Sequence, residues 1–229
     1  MGEGPPRKES GPPRLRPCGP WLAVQLRLKS GFTSEEYVTQ QAWRFATLSH
    51  CPAHPRGGCG IARHGAYPRK HPEGVWVPRW YCREGHLTVS LLPDFVASRL
   101  SSSLDEIEDV AAAVEAATSL EAAASKLRPD IELPGAVRWT RRRVKSVRVT
   151  LTVMVGLLPA ILAGVELTVL SVRAALGVGR VLSALRDAAA EHLSHLPPPV
   201  GFGPRPVPRT RATSATQHEA GPDPPNTVT

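Results

Sequence analysis

The chain has 229 residues, with 28 Lys+Arg against 20 Asp+Glu, a formal charge of +8 and a sequence pI near 9.9. That length admits one domain or two small ones around a real core, and four cysteines are too few for a disulfide-built scaffold. Met1 opens onto Gly, Pro and Arg and not onto an apolar signal core, so the expected compartment is reducing and cytoplasmic, where cysteines close to histidines mean metal or catalysis more often than crosslinks.

The 24 prolines and 19 glycines are unevenly spread. Residues 1–20 hold six prolines and residues 197–229 hold nine, which predicts disordered Pro-rich tails around a folded middle. Ten of the twelve aromatic residues, Trp21 through Phe95, precede residue 96, while the rest of the middle is rich in Ala, Leu and Val. The expected fold class is therefore mixed and mainly α. A small β unit with one helix falls in 21–100, a helical unit in 101–148 and a further helical segment in 149–196.

Near the start of the folded middle, Thr33-Ser34-Glu35-Glu36 fits a capping box, and Tyr37, Gln41, Phe45 and Leu48 continue at helical spacing, predicting a helix over about 34–48. Next comes the most informative segment. Cys51, Cys59 and Cys82, with His50, His54, His64, His71 and His86, fall within 37 residues. Cys51-x7-Cys59 followed by Cys82-x3-His86 reads as two metal knuckles joined by short β runs, Val75-Trp76-Val77 and Leu87-Thr88-Val89-Ser90. Cys51, Cys59, Cys82 and His86 supply a Cys3His set for Zn2+, with His54 as the alternate that would replace Cys59 through the competing Cys51-Pro52-Ala53-His54 pair. Four protein ligands leave no open position for water, so such a zinc stabilises folding and performs no catalysis. The alternatives are buried free cysteines or a Cys82–His86 thiol–imidazole pair, for which no third orienting group is recognisable.

The stretch containing His50-Cys51-Pro52, Cys59-Gly60, His64-Gly65-Ala66-Tyr67-Pro68-Arg69-Lys70, Arg79-Trp80-Tyr81-Cys82 and Leu87-Thr88-Val89-Ser90 resembles the N-terminal zinc ribbon of bacterial insertion-element transposases. The resemblance covers about residues 50–95, and more weakly the helices up to 148. On it, Cys51, Cys59 and Cys82 match the family's ligands and His86 stands one position beyond the usual fourth cysteine. It implies a zinc ribbon followed by a three-helix DNA-binding unit.

Ser103-Leu104-Asp105-Glu106 and Thr118-Ser119-Leu120-Glu121 repeat the capping signature, predicting helices over about 104–117 and 119–127. Pro134 suits the first turn of a third helix running to Arg148 or further. Residues 101–118 carry five acids and no base, whereas Arg138 to Arg148 carry six bases and no acid. Two short capped helices before an arginine-rich one look like a helix-turn-helix, with Arg138, Arg141, Arg142, Arg143, Lys145 and Arg148 facing double-stranded DNA. Arg63, Arg69, Lys70 and Arg79 would add contacts from the ribbon. The competing view is a solvated arginine face paired with the acidic helix.

The uncharged run from Val149 to Val165 is 17 residues, at the lower edge of a membrane span. Pro159 inside it, and Glu166 and Arg173 after it, favour a buried hairpin kinked at Pro159 followed by an amphipathic helix over about 181–196. No carboxylate triad, phosphate loop, nucleophile elbow or His-Glu-x-x-His is present, so no enzymatic activity is expected. The sequence reading is a zinc-dependent, nucleoid-associated DNA-binding protein, acting alone or with a separate recombinase. The alternatives are an interaction or self-association scaffold, or a membrane anchor through 149–165.

Overall fold

Four strands and seven helices make up residues 22–203, the part of the chain that the computed structural model describes. The strands are β1 (Leu22–Leu28), β2 (Ala62–Pro68), β3 (Trp76–Cys82) and β4 (Leu87–Pro93), in the order β1-β4-β3-β2. β2, β3 and β4 form an antiparallel meander, and β1 runs parallel to β4 in the register Leu22↔Leu87 to Leu28↔Pro93. The helices are α1 (Ser34–Thr39), α2 (Leu104–Glu115), α3 (Leu120–Leu127), α4 (Leu133–Leu157), α5 (Pro159–Leu162), α6 (Val169–Leu176) and α7 (Val181–Ala188).

The period of two in the strands divides the interior. Leu87, Val89 and Leu91 of β4, with Trp80 and Cys82 of β3, pack on one face with Cys51, Cys59 and Ala46. Leu92 and Val77 point to the other face, where Leu104, Ile107, Val147, Leu151, Met154, Leu182 and Leu185 complete a larger core. The cysteine segment and the helices thus occupy opposite sides of the sheet.

The structure corrects several element boundaries. β1 was not expected, although Val24, Leu26 and Leu28 alternate with Gln25 and Arg27 in the manner of a half-buried strand. The helix expected over 34–48 stops at Thr39. Its capping box forms as read, but Gln41 takes φ +51 and the chain re-enters only a short 3₁₀ turn at Ala42–Arg44, leaving Phe45 78% exposed. Ser103 and Glu106 form the second capping box. At α3 the cap is Ser119 alone, accepting from Ala122 N, so Thr118 and Glu121 do not form the expected box.

α4 absorbs half of the expected hairpin. It runs unbroken through Val149 to Leu157 and ends because Pro159 drives Leu158 out of the helical region, to φ −123 and ψ 51. Beyond it the chain continues as the short pieces α5, α6 and α7, not as a kinked hairpin, and α7 ends at Ala188 before a 3₁₀ turn at Ala190–His192. Among the described residues no helix is long and apolar enough to cross a membrane. Nor does the second tail begin at residue 197. Val200 is fully buried and Phe202 nearly so, and the Pro198 carbonyl accepts from Ser146 Oγ at 2.7 Å and Thr150 Oγ1 at 3.1 Å. The expected tail over 1–20, and the rest of the second one, lie outside the described residues.

The acids of α2 anchor the later helices. Glu108 is fully buried, accepts from Arg173 Nη2 at 2.7 Å and caps α7 by accepting from Leu182 N at 2.9 Å. Glu115, two turns on, caps α6 by accepting from Val169 N at 2.8 Å. Arg180 pairs with Asp105 at 3.7 Å and also with Asp109.

Candidate metal centre and basic helix

Cys51 opens two successive turns, in which His54 N donates to Cys51 O at 3.0 Å and Gly57 N to His54 O at 2.9 Å. This winding carries the His54 ring back over the start of the segment, so that Nδ1 lies 3.5 Å from Cys51 Sγ and 3.4 Å from Cys82 Sγ. Cys59 sits between Gly58 and Gly60, both at positive φ, in a loop conformation that side-chain-bearing residues avoid. Cys82 ends β3, and the Gly85 amide of the next turn donates to its sulfur at 3.3 Å. A Cβ at Gly85 would stand 3.3 Å from His54 Cε1, so the close approach of turn and ring favours glycine.

The ligand atoms of Cys51, His54, Cys59 and Cys82 all lie within 4.8 Å of one another. With zinc bonds of about 2.3 Å to sulfur and about 2.0–2.1 Å to nitrogen, a tetrahedron has sulfur–nitrogen edges of about 3.6 Å. The two edges found, 3.4 and 3.5 Å, match that geometry. The cluster is compatible with a Cys3His zinc site. The three cysteines of the cluster are buried, at 1%, 3% and 0% exposure for Cys51, Cys59 and Cys82. Burial raises the Cys51 thiol, but His54, the Ala53 amide and the neighbouring sulfurs outweigh it and bring its pKa down to about 7. Burial also lifts Cys59. On the far side of the ring, His54 Nε2 faces the Glu84 carboxylate at 4.0 Å, beyond hydrogen-bond distance.

His86, expected as fourth ligand, lies outside this group. It takes φ +46, is exposed, and its Nδ1 is 3.2 Å from the Tyr81 hydroxyl. His54, expected as an alternate to Cys59, joins Cys59 and takes the place of His86, because the turn from Cys51 to Gly57 is tight enough to return it, whereas the turn after Cys82 presents an amide.

The cations expected at a nucleic-acid surface divide into two sets. Arg138, Arg141, Arg142, Lys145 and Arg148 are exposed, and none forms an ion pair with a described residue. At 3.6 residues per turn they fall within an arc of about 120° and along about 15 Å of α4. Arg143 is on the opposite, core-facing side. It is 5% exposed, its guanidinium is 3.7 Å from the Trp139 ring centroid, and it donates to Ser102 Oγ at 3.2 Å. The ribbon-side arginines are engaged within the protein. Arg69 donates to the carbonyls of Ala97 and Leu100, and Arg63 to those of Trp43, Arg44 and Ala46. Arg79 is half-buried over the Tyr67 ring at 5.3 Å. Lys70 is exposed, with no ion pair among the described residues.

Sequence reasoning overlooked Glu108, Glu115 and Arg186. The first two stand seven residues apart on one helix, a visible spacing, but their partners are 54 to 74 residues away. Compared with known proteins, the chain finds no counterpart: no protein-family model, no curated protein and no solved structure matches it.

Proposed function

We propose that this is a DNA-binding protein in which a structural zinc at Cys51, His54, Cys59 and Cys82 fixes one face of the sheet and α4 presents the binding surface. In this reading it is similar to the zinc-ribbon and helix-turn-helix part of an insertion-element transposase, with α3 as supporting helix and α4 as recognition helix, and has no catalytic role of its own. The observation that carries it is the lack of compensation on α4. Every acid of α2 is engaged with Arg173, Arg180, or the amides at helix starts, so the acidic helix does not neutralise the five exposed cations. Such a stripe binds phosphates by releasing counterions. Because α4 and the metal cluster lie on opposite faces of the sheet, binding rests on α4, and the metal acts through folding.

The test is anisotropy of a labelled duplex against salt. Five phosphate contacts give a slope of log affinity against log salt of about −4 to −5; absence of salt-dependent binding contradicts the proposal. A second reading is favoured by a groove of about 570 Å³ beside the stripe, lined by Val114, Leu120, Val144, Val149 and Val153. With Arg141, Lys145 and Arg148 at its edge, this groove suits an acidic amphipathic helix of a protein partner.

A further inference from the structure

Among the described residues, two arginines are buried without a carboxylate partner, and they are satisfied very differently. Arg186, 1% exposed, donates to the carbonyls of Asp94, Val96, Pro199 and Val200 at 2.7–3.0 Å. Arg143, 5% exposed, stacks on the Trp139 ring at 3.7 Å, but its hydrogen bonds, to Ser102 Oγ, Trp139 O and Ser101 O, are long at 3.2–3.5 Å, and its Nε has no hydrogen-bond partner. Burial, then the nearby charges of Arg128 and Arg142, outweigh the attraction of the Glu106 carboxylate and pull its pKa down to about 10. A buried cation is costly unless an anion and full hydrogen bonding compensate it.

Arg143 does not stand in solid packing. It lines a cavity of about 720 Å³ shared with Lys70, Ser101, Ser102, Arg128 and Trp139, within the size range of small-ligand sites. The carboxylates in the wall are already engaged. Asp130 receives two bonds from Arg128 at 2.7 and 2.6 Å, Asp109 pairs with Arg180, and Glu106 accepts from Ser103 N at 2.9 Å. The wall cations that no carboxylate pairs with are therefore Arg143 and Lys70.

We infer that this cavity binds a phosphate group between the Arg143 guanidinium and the Lys70 ammonium, with Ser101 and Ser102 in its wall. A guanidinium offers paired donors that match an oxyanion, and the ammonium and hydroxyls supply donors from other directions. None of the five exposed cations of α4 lines the cavity, so phosphate binding here does not use the α4 surface of the DNA reading. The phosphate belongs either to a free ligand of nucleotide size or to a nucleic-acid backbone.

The experiment uses the full chain carrying zinc and titrates inorganic phosphate against chloride at fixed ionic strength, following heat and thermal unfolding. Saturable binding is expected in the parent. Lys70→Ala, which changes an exposed residue and leaves the core intact, weakens it about tenfold, the loss of one charge-assisted contact. Arg143→Lys, checked for folding by circular dichroism, weakens it comparably. No saturable phosphate binding, or unchanged affinity in both variants, overturns the inference. The source is read from one further arm: release of a bound labelled duplex by phosphate at fixed ionic strength identifies the backbone phosphate, and a duplex that stays bound identifies a free phosphorylated ligand.

Discussion

Glu108 and Arg173 form a hydrogen-bonded ion pair at 2.7 Å, with the carboxylate fully buried and the guanidinium at the surface end of the contact. The same carboxylate caps α7 through Leu182 N at 2.9 Å, so one side chain of α2 fixes both α6 and α7. Removing it strands a guanidinium and a helix-terminal amide together. Glu108→Ala is therefore expected to cost about 3–5 kcal/mol, the range for breaking one side of a buried pair. Urea unfolding of the two proteins measures it, and a loss below about 1 kcal/mol means that the pair is not integral to the packing.

At the metal cluster, the geometry places His54, and not His86, beside the three cysteines. Metal analysis of purified protein is expected to find stoichiometric zinc in the parent and in His86→Ala, and sub-stoichiometric zinc in His54→Ala and Cys82→Ser. Chelation should lower thermal stability in the parent and in His86→Ala, because a structural metal contributes to folding itself. Zinc retained by His54→Ala and lost by His86→Ala would reverse the ligand assignment.

Arg186 ties the turn after β4 to the segment beyond α7. Arg186→Met leaves the carbonyls of Asp94, Val96, Pro199 and Val200 buried without this donor. The expected cost is at least about 3 kcal/mol. Phe202→Ala, at a side chain only 6% exposed, should cost about 3–5 kcal/mol. Denaturant unfolding reads both, and a Phe202 variant as stable as the parent contradicts the packing of residues 197–203.

The features legible in the sequence were local ones. Thr33 and Ser103 each have glutamate three residues on, and both boxes form because every atom involved lies within one turn. Three of the four clustered metal ligands were readable from spacing, and the Cys51-x2-His54 spacing offered His54 as well, but that it joins Cys59 and excludes His86 depends on a turn whose course no spacing reveals. β1 was missed because its partner β4 lies far along the chain, and strand pairing is fixed by burial more than by local preference. Residues 197–203 read as a tail because proline content dominates there, yet their carbonyls are well used as acceptors for Arg186, Ser146 and Thr150. Arg143 was grouped with its neighbours in an arginine run. Counting 100° per residue from Arg138 places it instead on the side of Ala136 and Val147, a signal available in the sequence.

Charge reversal on α4 decides whether its exposed cations bind duplex DNA. Arg141→Glu with Arg142→Glu alters two exposed side chains and no core contact, so the variant should keep the parent's zinc content and unfolding midpoint. Affinity for a labelled duplex at low salt is expected to fall by at least about 100-fold, and the salt slope to flatten by about two. A folded, zinc-loaded double variant that binds duplex as tightly as the parent, with the same salt slope, would contradict this role for α4.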